Sequence, residues 1–89
     1  MNHRTLAELA ALLGTSSLED PGTVITGVTT DTRSVSSGDL FVAVVGETFD
    51  GNDFLVAAMD AGAAGVITSR PDVAGIPRIL VADTLVALR

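Results

Sequence analysis

The sequence contains no cysteine, no lysine, no tryptophan and no tyrosine, and only one histidine. Each absence removes a class of chemistry. Without cysteine there is no disulfide, no thiolate metal site and no cysteine nucleophile, and this composition fits the reducing cytosol. Without lysine there is no G-x-x-x-x-G-K-[ST] loop and no ammonium to reach a nucleotide phosphate. Gly62, Gly65 and Gly75 do not have the spacing of a dinucleotide-binding glycine fingerprint. His3 has no second histidine to form a ligand pair or a Ser-His-acid set, so it reads as a solvated side chain near the terminus. Basic charge is also sparse. Eleven acids against five scattered arginines give a net charge of -6, which excludes a nucleic-acid backbone as partner. No apolar run approaches the ~20 residues of a membrane span. Glu8, Glu19 and Asp20 interrupt the first twenty positions, so no signal peptide is expected and the placement reads as cytoplasmic.

Aromatics make up 3% of the chain, namely Phe41, Phe49 and Phe54. The core must therefore be built from Val, Leu, Ile and Ala. At 89 residues there is room for one domain, spanning 1–89, which buries roughly 60–70% of its unfolded surface. Residues 5–13 (TLAELAALL) read as a helix, opened by a Thr5/Glu8 capping box and stopped by Gly14. Leu6, Leu9, Ala10 and Leu13 share its apolar face. Residues 15–22 read as a polar turn. Residues 23–31, rich in β-branched side chains, read as one strand with Gly27 as a bulge or kink.

The stretch from Thr29 to Phe54 organises the rest. Its run Leu40-Phe41-Val42-Ala43-Val44-Val45 has no alternation, the pattern of a strand buried on both faces. A helix over 54–62 is expected next, capped by Asn52 or Asp53, with Phe54, Ala58 and Ala61 on one face and Gly62 as the stop. Strands at 65–68 and 78–82 follow, and the strand-helix-strand order predicts a parallel pairing of 40–45 with 65–68. Asp83 is placed as the cap of a third helix that begins at Thr84. The expected fold is thus α/β, a small mixed and partly parallel sheet of about four strands flanked by helices. The ending at Arg89, barely one turn into that helix, reads as a cut within a longer chain.

Two polar loops flank the central strand, Asp31-Thr32-Arg33 before it and Gly46 to Gly51 after it. Glu47, Asp50 and Asp53 concentrate carboxylates, but acids in a glycine-rich turn before a helix are more often turn formers and caps than catalytic pairs or Mg²⁺ ligands. For Asp31 and Arg33 the structural reading is that Asp31 bonds turn amides and Arg33 pairs with an acid such as Asp39. The functional reading is that the Thr32 hydroxyl and loop amides meet a flat, neutral, hydrogen-bonding group such as a nucleobase, with Phe49 as an apolar wall. Taken alone, the residues describe a binding module with no visible catalytic machinery.

T-T-D-T-R, then G-D-L-F-V-A-V-V-G-E-T-F-D-G-N-D-F, then A-x-x-A-G-A-A-G-V-I closely resemble the N-terminal domain of the Mur ligases, the ATP-dependent amide ligases of peptidoglycan precursor synthesis. The match runs from about Val28 to Leu88. G-E-T-F-D-G-N-D-F is most similar to the branch that adds D-alanyl-D-alanine to a UDP-muramoyl-tripeptide, which shows G-E-x-F-D-G-H-D-F. Asn52 stands here in place of that histidine, a change expected to leave the fold undisturbed. The branch that adds diaminopimelate or lysine ranks second, and a non-catalytic interaction module is the alternative of a different class. The resemblance implies that the domain holds the UDP end of the UDP-N-acetylmuramoyl-peptide substrate. It also implies contacts from Thr30, Thr32 and Arg33 in the first loop and from Gly46, Glu47, Thr48 and Phe49 in the second, with Asp31 and Asp50 holding the loops. ATP and Mg²⁺ would belong to a central domain of the same enzyme, outside these residues, so no catalytic residue and no metal site are expected in this chain.

Overall fold

A computed structural model describes residues 3–46, 48 and 50–84. Glu47, Phe49 and the five residues after Thr84 lie outside the described residues, so the expected contacts of Glu47 and Phe49 and the body of the third helix fall there too. Thr84 itself is helical.

Among the described residues the central sheet has five strands: β2 (Ser17–Leu18), β4 (Gly27–Thr29), β5 (Asp39–Val42), β6 (Gly65–Thr68) and β7 (Arg78–Leu80). Their spatial order is β2-β7-β6-β5-β4, with β4 to β7 parallel and β2 antiparallel on the edge. Phe41 pairs with Thr29 on one side and with Val66 on the other, which places β5 inside the sheet. Successive side chains of a strand face opposite sides, and β5 buries both. Leu40 and Val42 join Leu6, Ala10, Ile25, Ile67 and Ile79. Phe41 and Ala43 join Leu55, Ala58, Ala63 and Val66. The expectation of a doubly buried strand parallel to 65–68 is met over Leu40–Val42, but the strand ends at Val42 and not at Val45, which is exposed.

Helix α1 (Leu6–Leu12) carries the predicted capping box. Thr5 Oγ1 accepts from the Glu8 amide at 3.2 Å, and the Glu8 carboxylate accepts from the Thr5 amide at 2.9 Å. Gly14 and Gly62 both take positive φ just past their helices, as a glycine stop requires.

Several expectations need correction. The single strand over 23–31 is two. β3 (Val24–Ile25) pairs antiparallel with β1 (Arg4–Thr5) in a separate two-stranded ribbon, and β4 resumes at Gly27 in the main sheet. The polar turn at 15–22 contains β2, so the sheet has five strands rather than about four. The last strand is Arg78–Leu80, although the Val81 amide still donates to Thr68 O at 2.9 Å. The second helix begins with a 3₁₀ turn, Gly51–Phe54, and becomes α2 over Leu55–Asp60. Its cap is Asp50, whose carboxylate accepts from the Asn52 amide, and not Asn52 or Asp53. Leu55 and Ala58 face the core, while Phe54 and Ala61 are exposed. The shift follows from the 3₁₀ start, since three residues per turn rotate the helix face relative to a pure α-helical reading.

Asn52 instead belongs to a buried polar link. Its Nδ2 donates to Asp50 Oδ1 at 2.8 Å, and its Oδ1 accepts from the Thr68 hydroxyl. Thr68 Oγ1 in turn accepts from the Arg70 amide at 3.1 Å. Asn52→Ala is expected to destabilise the domain by about 1–3 kcal/mol, because the buried Thr68 hydroxyl loses its acceptor. Asn52→His should recover most of that loss, since one ring nitrogen can accept while the other donates. Urea unfolding of the two variants checks this, and equal stability of Asn52→Ala and the parent would contradict it.

Candidate functional site

Thr30, Asp31, Thr32 and Arg33 follow the carboxyl end of β4 and, together with Phe41 and Phe54, line a cleft of about 550 Å³. Local bonding fixes the loop. The Thr29 hydroxyl accepts from the Asp31 amide and donates to the Asp31 carbonyl. The Asp31 carboxylate accepts from the Arg33 amide at 2.9 Å, so Asp31 caps a 3₁₀ turn over Thr32–Ser34. These contacts order the backbone without using the Thr30 and Thr32 hydroxyls, which make no hydrogen bond among the described residues. They remain free to meet a ligand.

Arg33 pairs with Asp31 and not with Asp39. Its Nε donates to Oδ1 at 3.1 Å and its Nη2 to Oδ2 at 2.9 Å. Asp39 is occupied otherwise, since its Oδ2 accepts from the Ser36 amide at 2.9 Å. The Arg33 side chain remains 88% exposed, so this ion pair adds little stability and chiefly sets the direction of the guanidinium. The Arg33 side-chain hydrogen bond, followed by its backbone amide, holds the Asp31 carboxyl below the usual carboxylate range, and the same pair raises Arg33.

The second loop is anchored at its far end. Val45 and Asp50 form an isolated antiparallel bridge. Arg70, from the segment after β6, donates to the Asp50 carboxylate and to Asp53 Oδ1 at 3.2 Å. The Asn52 amide, and then Arg70, hold the Asp50 carboxyl below its ordinary range. Asp50 and Asp53 are thus engaged by a guanidinium, which suits a loop clamp and not a cation cage. Among the described residues no group of three His, Cys, Asp or Glu side chains could hold a metal ion.

Of the seven residues assigned to the UDP end, Thr30, Thr32 and Arg33 come together in the cleft. Gly46 and Thr48 lie exposed in the second loop and are not among the cleft-lining residues. Phe41 and Phe54 are lining residues that the sequence reading had placed in the core and on the helix face. The Arg70 clamp was also missed, because its partners lie 20 and 17 positions away and no local pattern links them.

The depressed carboxyls make acid sensitivity predictable. Asp31, Asp50 and Glu8 all have folded pKa values below their unfolded ones. Their contribution is complete above the unfolded values and is lost as pH falls through the folded ones, from about pH 4 downwards. The urea midpoint should fall over that range, and Asp50→Asn should flatten the fall. An unchanged acid limb in Asp50→Asn would show that the clamp does not contribute.

Among the described residues, no helix is long and apolar enough to cross a membrane. A family model described as Mur ligase family, catalytic domain, matches residues 24–87. The chain is 48% identical over 88 residues to the UDP-N-acetylmuramoyl-tripeptide–D-alanyl-D-alanine ligase of Synechocystis sp., covering 94% of this chain and 19% of that protein. It is 42% identical over 83 residues to the UDP-N-acetylmuramoyl-L-alanyl-D-glutamate–2,6-diaminopimelate ligase of Streptomyces coelicolor, covering 88% and 16%. A crystal structure of MurF from Acinetobacter baumannii superposes with a TM-score of 0.84 at 34% identity, over 99% of this chain and 20% of that one. The chain therefore spans about a fifth or less of the length of these relatives. With the family model matched over well more than half of its residues, the chain belongs to the Mur ligase family.

Proposed function

We propose that this chain is the substrate-recognition domain of an ATP-dependent ligase that adds D-alanyl-D-alanine to UDP-N-acetylmuramoyl-tripeptide during peptidoglycan precursor synthesis, and that it holds the UDP end of that substrate. The observation that carries the reading is the cleft, where an ordered loop presents the unengaged Thr30 and Thr32 hydroxyls and an exposed guanidinium beside two aromatic residues. A flat base with polar edges suits hydroxyls and rings, and the guanidinium suits a phosphate. Crevices outside the carboxyl ends of parallel strands are common ligand sites. The D-alanyl-D-alanine branch is favoured by the names of relatives from Synechocystis sp. and Escherichia coli, at 48% and 40% identity.

The diaminopimelate-adding branch is the second reading, favoured by the 42% identity to the Streptomyces coelicolor protein. ATP and Mg²⁺ would be held by a central domain outside these residues, and the activated carboxylate and the attacking amine would meet there. The chain's own part is to bind and orient the nucleotide end, with Asp31 and Asp50 holding the two loops. Gly46, Glu47, Thr48 and Phe49 belong to the second loop of the same proposed site.

Thr32→Ala tests the cleft. Calorimetry should show UDP binding weakened by about 0.5–1.5 kcal/mol, the value of one hydrogen bond, with stability unchanged to within roughly 0.5 kcal/mol. Unchanged UDP affinity would remove Thr32 from the site.

A further inference from the structure

Arg70 closes a ring of hydrogen bonds on itself. Its backbone amide donates to Thr68 Oγ1 at 3.1 Å, and the Thr68 hydroxyl donates to Asn52 Oδ1. Asn52 Nδ2 donates to Asp50 Oδ1 at 2.8 Å, and the Arg70 guanidinium returns to Asp50 Oδ2. The same guanidinium also holds Asp53 Oδ1 at 3.2 Å. Three segments meet in this ring: the end of β6, the 3₁₀ turn Gly51–Phe54 and the end of the second loop. Thr68 and Asn52 are buried and anchor one half of it. The Arg70 and Asp50 side chains are 42% and 32% exposed, and an ion pair this open adds little stability but can fix direction. Two directions depend on it. Asp50 bridges to Val45 across the base of the second loop, which leaves only residues 46–49 as its tip. Asp53 directly precedes Phe54, which lines the cleft, whereas Arg70 is not among the lining residues.

We propose that Arg70 is a positioning residue for nucleotide binding. Through Asp50 and Asp53 it sets the base of the second loop and the cleft wall that carries Phe54, without itself touching the ligand. This rests on the uridine reading above and deepens it by adding a residue from a third segment of the chain. A loop held in place before the ligand arrives loses less freedom on binding, and the ligand binds more tightly. Arg70→Gln keeps the backbone bond to Thr68 and removes the guanidinium from both carboxylates, so its effect falls on the ligand more than on the fold.

The test is UDP titration of the parent chain, Arg70→Gln, Asp50→Asn and the double variant, with thermal unfolding of each as a control on folding. Each single variant should bind about 3- to 10-fold more weakly. The double variant should stay within about twofold of Arg70→Gln, because both substitutions break the same contact and their effects do not add. Without ligand, hydrogen exchange at the Gly46 and Thr48 amides should rise in Arg70→Gln. If the two losses multiply, or if affinity falls while exchange at Gly46 and Thr48 stays at the parent rate, Arg70 acts on the ligand directly and the positioning role is overturned. Arg70→Lys decides the matter if the glutamine variant is poorly folded. It keeps the charge but lacks the planar fork, so exchange at Gly46 and Thr48 should rise and affinity should fall together. If Arg70→Gln keeps parent affinity while amides 30–33 still shift with UDP, the positioning role is overturned and the uridine reading stands. If UDP moves no amide of residues 30–33 in the parent, both fall.

Discussion

Phe41→Ala is expected to destabilise the domain by about 3–5 kcal/mol, the range for truncating a fully buried phenyl ring. Among the described residues Phe41 is the largest fully buried side chain, and it sits on an interior strand of the sheet. Its ring packs in a cluster with Ala43, Leu55, Ala58, Ala63 and Val66, bordered by Val35, Met59, Val73 and Ile76. Three of these neighbours are alanines and Val66 is held in β6, so the site can refill the volume only in part. A small domain has a total stability of about 5–15 kcal/mol, and this one substitution removes a large share of it. Because Phe41 also lines the cleft, the loop after β4 should lose its support as well. Urea unfolding measures the effect. A loss below about 1 kcal/mol, typical of a surface site, would mean that β5 is not the interior strand.

Gly51→Ala is the second large effect, and its cause is close approach rather than a special φ. A Cβ on Gly51 would meet the Val44 nitrogen at 2.8 Å and the Ala43 carbonyl carbon and Cα at 2.9 Å. All three are backbone atoms, so no rotamer change relieves the clash. The Gly51 amide also donates to Val44 O at 2.8 Å, which locks the turn against the end of the central strand. Inserting the methyl must either break that bond or push the strand end aside. Overpacking of this kind costs typically 1–3 kcal/mol, and the value here should lie near the upper end, about 3 kcal/mol, because backbone is what must move. The Val45–Asp50 bridge and the Asp50–Arg70 clamp adjoin the clash, so hydrogen exchange should rise at the amides of Asn52 and Asp53. A Gly51→Ala variant as stable as the parent, with protected amides there, would contradict this account.

These two residues show how unevenly the structure could be read from sequence. The continuous apolar run around Phe41 announced a doubly buried strand, because a parallel strand covered on both faces has no polar side to display. The Thr5/Glu8 pair announced a helix start, since a capping box is local and both partners lie three residues apart. Gly51 was legible as the end of the second loop, but its contact with Ala43 and Val44 depends on how the chain folds back there. The two-residue strands β1 and β2 carry no pattern long enough to detect, and β3 was legible as strand only as part of one run with β4. They exist because partners distant in sequence supply their hydrogen bonds.

The same division runs through the candidate site. Asp31 was legible as a turn former because its bonds are two residues long. Arg33 was assigned the wrong acid, since Asp39 already serves the Ser36 amide. The Arg70 clamp and the cleft-side place of Phe54 were not legible. One joins residues far apart in the chain, and the other follows from the 3₁₀ start of the second helix, which rotates Leu55 into the core and Phe54 out of it.

The central claim is that the loop after β4 and the adjoining cleft hold a uridine nucleotide. The most direct measurement is a titration of ¹⁵N-labelled protein with UDP, followed by amide chemical shifts. The account predicts saturable shifts at residues 30–33 and at Phe54, weakened together in Thr32→Ala. Shifts confined to the α1 face of the sheet, or none at residues 30–33, would contradict it.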